Sequence, residues 1–200
     1  ELDMLFYAGA SLAQDVWSDL ENMAQEVRGD IPLFTSSWGL TETAPAALLQ
    51  HQPTDRSGVV GVPLPEIDIK LIPDGDMRCE VRIKGPSVFT GYLNAPEQSA
   101  QAFDEEGFYK TGDVMVFVDP ADSNLGLRFD GRISEEFKLM SGTWVRAANL
   151  RLEVLSTLGA LVTDVIITGA DRSDIGLFII PSAAMRKASD CIDHDGGLRC

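Results

Sequence analysis

The stretch IPLFTSSWGLTET, residues 31–43, joins an apolar β-strand pattern to a cluster of one aromatic ring, one glycine, several hydroxyl groups and a carboxylate. An earlier stretch, LDMLFYAGA at residues 2–10, is another strand pattern, and it ends in small residues. A helical pattern separates the two strands, and strand–helix–strand order favours a parallel sheet. Ligands of such sheets bind beyond the carboxyl ends of the strands, where both AGAS (8–11) and SWGLTE (37–42) lie.

The helix between these strands is predicted to begin at Ser11. Ser11 and Gln14 have the spacing of a capping box, in which each side chain bonds the other residue's backbone N–H. Apolar residues follow at helical spacing, and Gly29 is a typical stop after the last turn. These apolar residues are Leu12, Val16, Leu20, Met23 and Val27.

The middle of the chain, residues 58–130, has the pattern of antiparallel strands. Apolar and polar residues alternate over residues 67–71 and again over 81–84, on either side of the turn PDGD at 73–76. This alternation is typical of a hairpin with one solvated face. A short helix with Pro96 in its first turn is predicted as well. We therefore expect an antiparallel sheet or a small barrel here.

The last third of the chain predicts a small α+β domain. Helical spacing appears over residues 150–161, and DVIITGA (164–170) and GLFIIPS (176–182) are strand patterns. The predicted fold class is therefore α/β and α+β in several domains. The domains are the end of a parallel α/β subdomain (1–57), a β-rich, barrel-like subdomain (58–130), and a hinge with an incomplete α+β domain (131–200).

Composition and charge exclude several functional classes. The formal net charge of −15 disfavours partners such as nucleic acid or an anionic membrane, and no apolar run is long enough to span a bilayer. Cys79, Cys191 and Cys200 lack the spacing of a metal or redox site, so we expect reduced thiols in a cytoplasmic protein. Neither His51 nor His194 has a partner at catalytic spacing. Because the sequence begins inside a structured pattern, we expect a fragment of a longer protein.

Three positions carry side chains suited to a nucleotide, and each has a plainer alternative. Thr41 and Glu42 could hold a phosphate and its Mg²⁺, or Thr41 could cap a following helix. Asp113 could accept hydrogen bonds from two sugar hydroxyls, or it could be an ordinary turn residue. Arg132 could reach a phosphate or a ribose, or it could lie in a solvated linker.

Five motifs in order carry a resemblance that no single motif carries alone. They are YAGASL (7–12), SWGLTET (37–43), GPSVFTGYLN (85–94), FYKTGDV (108–114) and DGR…KLMSG (130–142). Together they resemble the adenylate-forming superfamily of acyl-CoA synthetases, peptide-synthetase adenylation domains and firefly luciferase. The segments FDGRISEEFKLMSGTWV and DIGLFIIPS look most like bacterial feruloyl-CoA synthetases, which activate hydroxycinnamic acids.

The resemblance implies a reaction in two steps. A carboxylic acid attacks the α-phosphate of ATP to give an acyl-adenylate and pyrophosphate, and the thiol of coenzyme A then displaces AMP to give a thioester. The small-molecule partners would be an aromatic carboxylic acid, ATP and CoA, with Mg²⁺ as cofactor. An enzyme of this kind must hold two anions together and stabilise the charge that builds at phosphorus.

The resemblance also assigns roles to residues around the base and the acyl group. The backbone of Gly9, Ala10 and Ser11 would line the adenine. Trp38 stands where the family usually has Tyr, and either ring can lie against the base. Gly39 would let the backbone approach the acyl group.

Further roles follow for the phosphate, the ribose and the domain movement. Thr41 would bond the α-phosphate, Glu42 would help to hold Mg²⁺, Asp113 would bind the ribose, and Arg132 would contact ribose or phosphate. The C-terminal domain of this family swings after adenylation, and the hinge residue would be Ser134 here, or Glu135 because this loop carries one extra residue.

Two family features have no convincing match in these 200 residues. One is the Ser/Thr/Gly-rich phosphate loop, and the other is the late lysine that serves adenylation, since Lys187 lacks the family's Gly-Lys context. We therefore expect this chain not to adenylate by itself. Two alternatives stay open: a non-catalytic nucleotide-binding module on the same scaffold, and an adenylating enzyme with a carrier-protein acceptor. The acyl substrate and the oligomeric state are open too.

Overall fold

The computed structural model describes residues 3–9, 12–75, 77–188, 192–194 and 197–199. The chain divides into two compact units, residues 1–133 and 134–200. The predicted segments 1–57 and 58–130 share one mixed sheet inside the first unit. That sheet is open, with β1 (Met4–Tyr7) and β5 (Asp68–Pro73) at its two edges, so the predicted barrel-like closure is wrong for the described residues.

Eight strands form this sheet in the order β1-β2-β3-β4-β8-β7-β6-β5. The other strands are β2 (Leu33–Trp38), β3 (Leu48–Leu49), β4 (Val59–Pro63), β6 (Arg78–Lys84), β7 (Tyr109–Phe117) and β8 (Leu127–Arg132). Strands β1 and β2 pair in parallel, and every other neighbouring pair is antiparallel. The predicted parallel strand–helix–strand opening and the predicted antiparallel hairpin of β5 and β6 are both confirmed.

Helix α1 (Gln14–Arg28) connects β1 to β2, and the prediction for its first turn is wrong. The N-cap is Ala13 without a side-chain cap, while Ser11 lies outside the described residues. The Gln14 side chain instead accepts a 2.9 Å hydrogen bond from the Ser57 N–H. Gly29 ends the helix in the left-handed conformation, with φ 82°, as predicted.

The core of the first unit is a cluster of buried side chains, most of them aliphatic. Its members are Trp38, Ala47, Leu48, Val60, Ile67, Val81, Ile83, Met115 and Leu127. On helix α1 only Trp17 is fully buried, between Tyr7 and Phe34, so most of the predicted apolar stripe is exposed. The second helix of this unit is α2 (Pro96–Ala102), which starts at Pro96 as predicted.

In the described part of the second unit, the chain forms short antiparallel pairs and two helices. Its elements are β9 (Glu136–Lys138), β10 (Trp144–Arg146), α3 (Ala147–Leu158), β11 (Val162–Thr168), β12 (Gly176–Pro181), α4 (Ala183–Ala188), β13 (Ile192–His194) and β14 (Gly197–Arg199). The helix and the two strands predicted there are present. Among the described helices of both units, none has the length and hydropathy of a membrane span.

Candidate functional site

Asp113 and Arg132 face each other on neighbouring strands. They are paired in the register of β7 and β8, and Arg132 Nε lies 2.8 Å from Asp113 Oδ1. The Asp113 side chain is 1% exposed, whereas that of Arg132 is 46% exposed. A register irregularity follows directly after Asp113, between Val114 and Met115, which is a common device for aiming a side chain beside an active site. Here it separates a buried carboxylate from the regular ladder that follows.

Trp38 completes this group from a distant part of the sequence. It is the last residue of β2, and its indole Nε1–H donates a 2.8 Å hydrogen bond to Asp113 Oδ2. The ring is 8% exposed and packs in the core, with its polar edge on the carboxylate. Three residues predicted separately, Trp38, Asp113 and Arg132, therefore meet at one carboxylate, which we call the Asp113 centre.

The backbone after Trp38 turns so tightly that only glycine fits. A Cβ on Gly39 would lie 1.8 Å from the carbonyl oxygen of Pro45 and 2.9 Å from the Cα of Ala46. Real Cβ atoms do not approach backbone this closely, so a side chain here would push the two segments apart. This packing explains the glycine without any ligand, and the predicted approach to an acyl group stays a prediction.

The predicted phosphate residues lie on a short 3₁₀ turn, Thr41–Thr43. The alternative that Thr41 caps a following helix is wrong, because the turn stops after three residues and Leu40 is its N-cap. The buried Thr43 hydroxyl closes the turn, accepting from the Leu40 N–H at 2.8 Å. Thr41 is exposed, and its side chain forms no hydrogen bond within the described residues, so its hydroxyl is available to a ligand.

Glu42 is held from the motif GPSVFTGYLN, by both its backbone and its side chain. The Phe89 N–H donates to the Glu42 carbonyl at 2.9 Å, and the Tyr92 hydroxyl donates to Glu42 Oε1 at 2.9 Å. Tyr109, which is 6% exposed, contacts the same Phe89 ring as Tyr92. The neighbouring Tyr109 hydroxyl lowers the pKa of Tyr92, but burial and the bond to Glu42 raise it more. Burial and the neighbouring Tyr92 hydroxyl raise the pKa of Tyr109, so both phenols stay protonated near neutral pH.

Sequence reasoning missed these two tyrosines. Both lie inside quoted motifs, Tyr92 in GPSVFTGYLN and Tyr109 in FYKTGDV, but neither has a partner nearby in sequence. The one available signal for the two tyrosines was that each is an aromatic residue inside a motif of the ordered set. Nothing in the spacing indicates that Tyr92 bonds Glu42, from which it is 50 residues away in sequence, or that Tyr109 lies in the same cluster of rings.

The described residues offer a single carboxylate to a cation at the 3₁₀ turn. They contain no group of three or more His, Cys, Asp or Glu side chains that could hold a metal ion. Mg²⁺ often keeps only one or two protein carboxylates and takes its other ligands from water and substrate phosphates. Glu42 therefore fits a nucleotide-bound Mg²⁺ and does not fit a metal site built by protein alone.

The remaining predicted positions are placed as follows. Gly9 follows β1 with φ 85°, beside the end of its parallel neighbour β2, while Ala10 and Ser11 lie outside the described residues. The boundary between the two compact units falls between Ile133 and Ser134, next to the predicted hinge, and Ser134 and Glu135 form a 3₁₀ turn with Ile133.

Comparison with known proteins supports the resemblance. Residues 1–93 match the family model described as AMP-binding enzyme. Phenylacetyl-CoA ligase epaB of Aspergillus niger is 40% identical over 89 residues, which are 40% of this chain and 16% of that protein. Luciferin 4-monooxygenase of Luciola mingrelica is 35% identical over 117 residues, which are 54% of this chain and 20% of that protein. The chain thus spans a fifth or less of either relative.

Solved structures share the fold at lower identity. The adenylation domain of a carboxylic acid reductase from Segniliparus rugosus, in complex with AMP and a co-purified carboxylic acid, matches 90% of this chain with a TM-score of 0.70. It is 22% identical, and the match covers 27% of its length. The anthranilate CoA ligase AuaEII, in complex with anthranoyl-AMP, matches 93% of this chain and 36% of its own length, with a TM-score of 0.68 and 18% identity. The resemblance to the superfamily of acyl-CoA ligases, luciferases and adenylation domains is supported, whereas a particular likeness to feruloyl-CoA synthetases is not shown.

Proposed function

We propose that this chain is part of an ATP-dependent ligase that joins a carboxylic acid to coenzyme A through an acyl-adenylate. The observation that carries the proposal is the Asp113 centre, where Trp38 and Arg132 contact both oxygens of one buried carboxylate. The five ordered motifs and the match of residues 1–93 to the AMP-binding family support it.

The Asp113 centre is suited to a ribose. An ionised carboxylate has about four lone-pair sites, so Asp113 can accept from sugar hydroxyls while it still accepts from Trp38 and Arg132. Its side chain is buried and Arg132 is half-exposed, so the ribose approaches from the side of the guanidinium. Arg132 then lies beside the nucleotide, where its fixed positive charge favours the phosphate.

The 3₁₀ turn is suited to the reacting phosphate. The Thr41 hydroxyl donates to an α-phosphate oxygen, and Glu42 offers a carboxylate oxygen to the cation that accompanies ATP. When bound, Mg²⁺ neutralises the charge that builds on the phosphate oxygens during attack. The carboxylate oxygen of the acid forms the new bond to the α-phosphorus while the bond to pyrophosphate breaks. In the second step the CoA sulfur bonds to the acyl carbon, and AMP leaves.

We further propose aromatic acids of the hydroxycinnamate type as substrates. The segments 129–145 and 174–182, which look like those of feruloyl-CoA synthetases, support this class. Two similar proteins are named for the aromatic acids phenylacetate and anthranilate. Another relative is named a long-chain-fatty-acid–CoA ligase, so the test of the acid includes a fatty acid.

The test uses the protein produced from the complete open reading frame that encodes this chain. It is incubated with ATP, Mg²⁺, CoA and one acid at a time, and thioester formation is followed by mass spectrometry with ferulate, coumarate, benzoate and a fatty acid. We expect ATP-dependent thioesters of ferulate and coumarate. Thioester formation with fatty acid alone would overturn the substrate class, and no thioester with any of the acids would overturn the ligase itself.

A further inference from the structure

The Glu42 carboxylate is hydrogen-bonded to Tyr92, which lies in a cluster of aromatic rings. We propose that Tyr92 is a positioning residue for Glu42, that its hydroxyl fixes one oxygen of the carboxylate, and that Tyr109 supports Tyr92 through the Phe89 ring that both tyrosines contact. This inference rests on the proposed function, in which Glu42 serves the cation bound to ATP. It assigns a role to two residues that act through Glu42 and need not touch the nucleotide.

The direction of the hydrogen bond between Tyr92 and Glu42 follows from the chemistry of the two groups. An ionised Glu42 can only accept, so the single proton of the Tyr92 hydroxyl is donated to Glu42 Oε1, at 2.9 Å. The Tyr92 hydroxyl therefore acts as the donor that holds this oxygen of the carboxylate in place.

The two phenols are held rigidly by neighbouring rings. The ring centroid of Phe89 lies 4.8 Å from that of Tyr92, 5.3 Å from that of Tyr109 and 5.6 Å from that of Phe103. These edge and stacked contacts restrict the rings to one arrangement. Because Phe89 also donates its N–H to the Glu42 carbonyl, one segment fixes both the backbone and the side chain of Glu42.

Helix α2 fixes the segment that carries Tyr92. The Ser99 hydroxyl accepts from the Tyr92 N–H at 2.8 Å and donates to the Ala95 carbonyl at 2.7 Å. Gly91 has φ 150°, and a Cβ there would lie 2.9 Å from Ser99 Oγ, so the helix packs directly on this backbone. Helix α2 is thus connected to the Glu42 carboxylate through Ser99 and Tyr92.

In this arrangement Glu42 Oε1 accepts the hydrogen bond from Tyr92, and Oε2 can bind a cation. Within the described residues, Tyr92 is the only side chain that hydrogen-bonds the Glu42 carboxylate. A glutamate side chain loses rotamer freedom when it binds a ligand, and a residue that fixes it beforehand reduces that loss. Removing a group that orients a metal ligand typically weakens metal affinity about 10- to 100-fold.

The test measures metal–nucleotide binding, in addition to activity, on the protein from the complete open reading frame. The probe is Mn²⁺–ATP, followed by electron paramagnetic resonance of the free Mn²⁺. Tyr92→Phe removes only the hydroxyl, and we expect it to raise the Kd of Mn²⁺–ATP by about tenfold. Tyr109→Phe keeps the ring contact with Phe89 and should change this Kd less than Tyr92→Phe does. The control is Tyr7→Phe, which removes the hydroxyl that accepts from the Gly58 N–H and should leave this Kd unchanged.

A double-mutant cycle separates this inference from the function on which it rests. If Tyr92 acts through Glu42, Tyr92→Phe has no further effect on the Kd in a Glu42→Gln background. If Glu42→Gln raises the Kd but Tyr92→Phe does not, the positioning role is overturned and the proposed function still stands. A Kd unchanged by Glu42→Gln would overturn both. If Tyr92→Phe does not fold, Phe89→Leu, which removes the ring that packs on Tyr92, decides in the same cycle and should raise the Kd only while Glu42 is present.

Discussion

The hydrogen bond from Trp38 to Asp113 gives a prediction whose size can be worked out. Trp38→Phe keeps an aromatic ring in the core and removes the indole N–H that lies 2.8 Å from Oδ2 of a carboxylate with 1% exposure. A hydrogen bond to a charged group is worth about 1.5–3 kcal/mol. The smaller ring also leaves a cavity, so the total loss in free energy of unfolding exceeds that range. The bond alone is isolated by a double-mutant cycle with Asp113→Ala.

The assay is urea unfolding of the chain, followed by far-UV circular dichroism, for the two single variants and the double variant. We expect a coupling energy of about 1.5–3 kcal/mol between the two substitutions. The matched control is Trp17→Phe, because Trp17 is fully buried and its indole N–H has no hydrogen-bond partner within the described residues. Its coupling to Asp113→Ala should stay within about 0.5 kcal/mol. Additive effects of Trp38→Phe and Asp113→Ala would refute the bond.

Three further predictions concern the same chain. Gly39→Ala should lower the free energy of unfolding in urea by about 1–3 kcal/mol or more, since its Cβ would lie 1.8 Å from the Pro45 carbonyl oxygen; an unchanged midpoint would contradict the packing. The pKa of Asp104 is lowered, chiefly by its hydrogen bond to Lys70. The ionised Asp104 therefore stabilises the fold at pH values above about 3.9, the pKa of an unfolded aspartate, and this stabilisation is lost as the pH falls from there through the lowered pKa of the folded protein. Asp104→Asn should therefore flatten the acid side of the stability profile measured by urea unfolding, and an equally steep profile would count against this. The 200-residue chain alone should show no ATP–pyrophosphate exchange, and robust exchange would show that the missing family features are dispensable.

The members of the Asp113 centre can be singled out from the sequence because they stand in ordered motifs that resemble one superfamily. An aromatic residue at a strand end, an aspartate after a glycine and an arginine after a glycine are each ambiguous alone. Their order along the chain selects one arrangement, and Trp38, Asp113 and Arg132 do meet. The parallel pairing of β1 and β2 is predictable for a similar reason, because the intervening helix leaves little choice.

The failures have physical causes that local patterns do not contain. Gln14 has capping-box spacing, but its side chain bonds a loop 43 residues away, which no local rule indicates. Alternating strands predict an antiparallel sheet, yet alternation is the same in an open sheet and in a closed barrel. The hydrogen bond between Tyr92 and Glu42 depends on how two distant segments pack, so neither tyrosine could be assigned from spacing.

The most direct measurement compares the binding of AMP with that of 2′,3′-dideoxyadenosine monophosphate by isothermal titration calorimetry. It uses the protein from the complete open reading frame, with and without Asp113→Ala. If the Asp113 centre binds the ribose, AMP should bind at least about tenfold more tightly than the dideoxy analogue, and Asp113→Ala should remove this preference. Equal affinity of the two nucleotides for the unsubstituted protein would contradict the account.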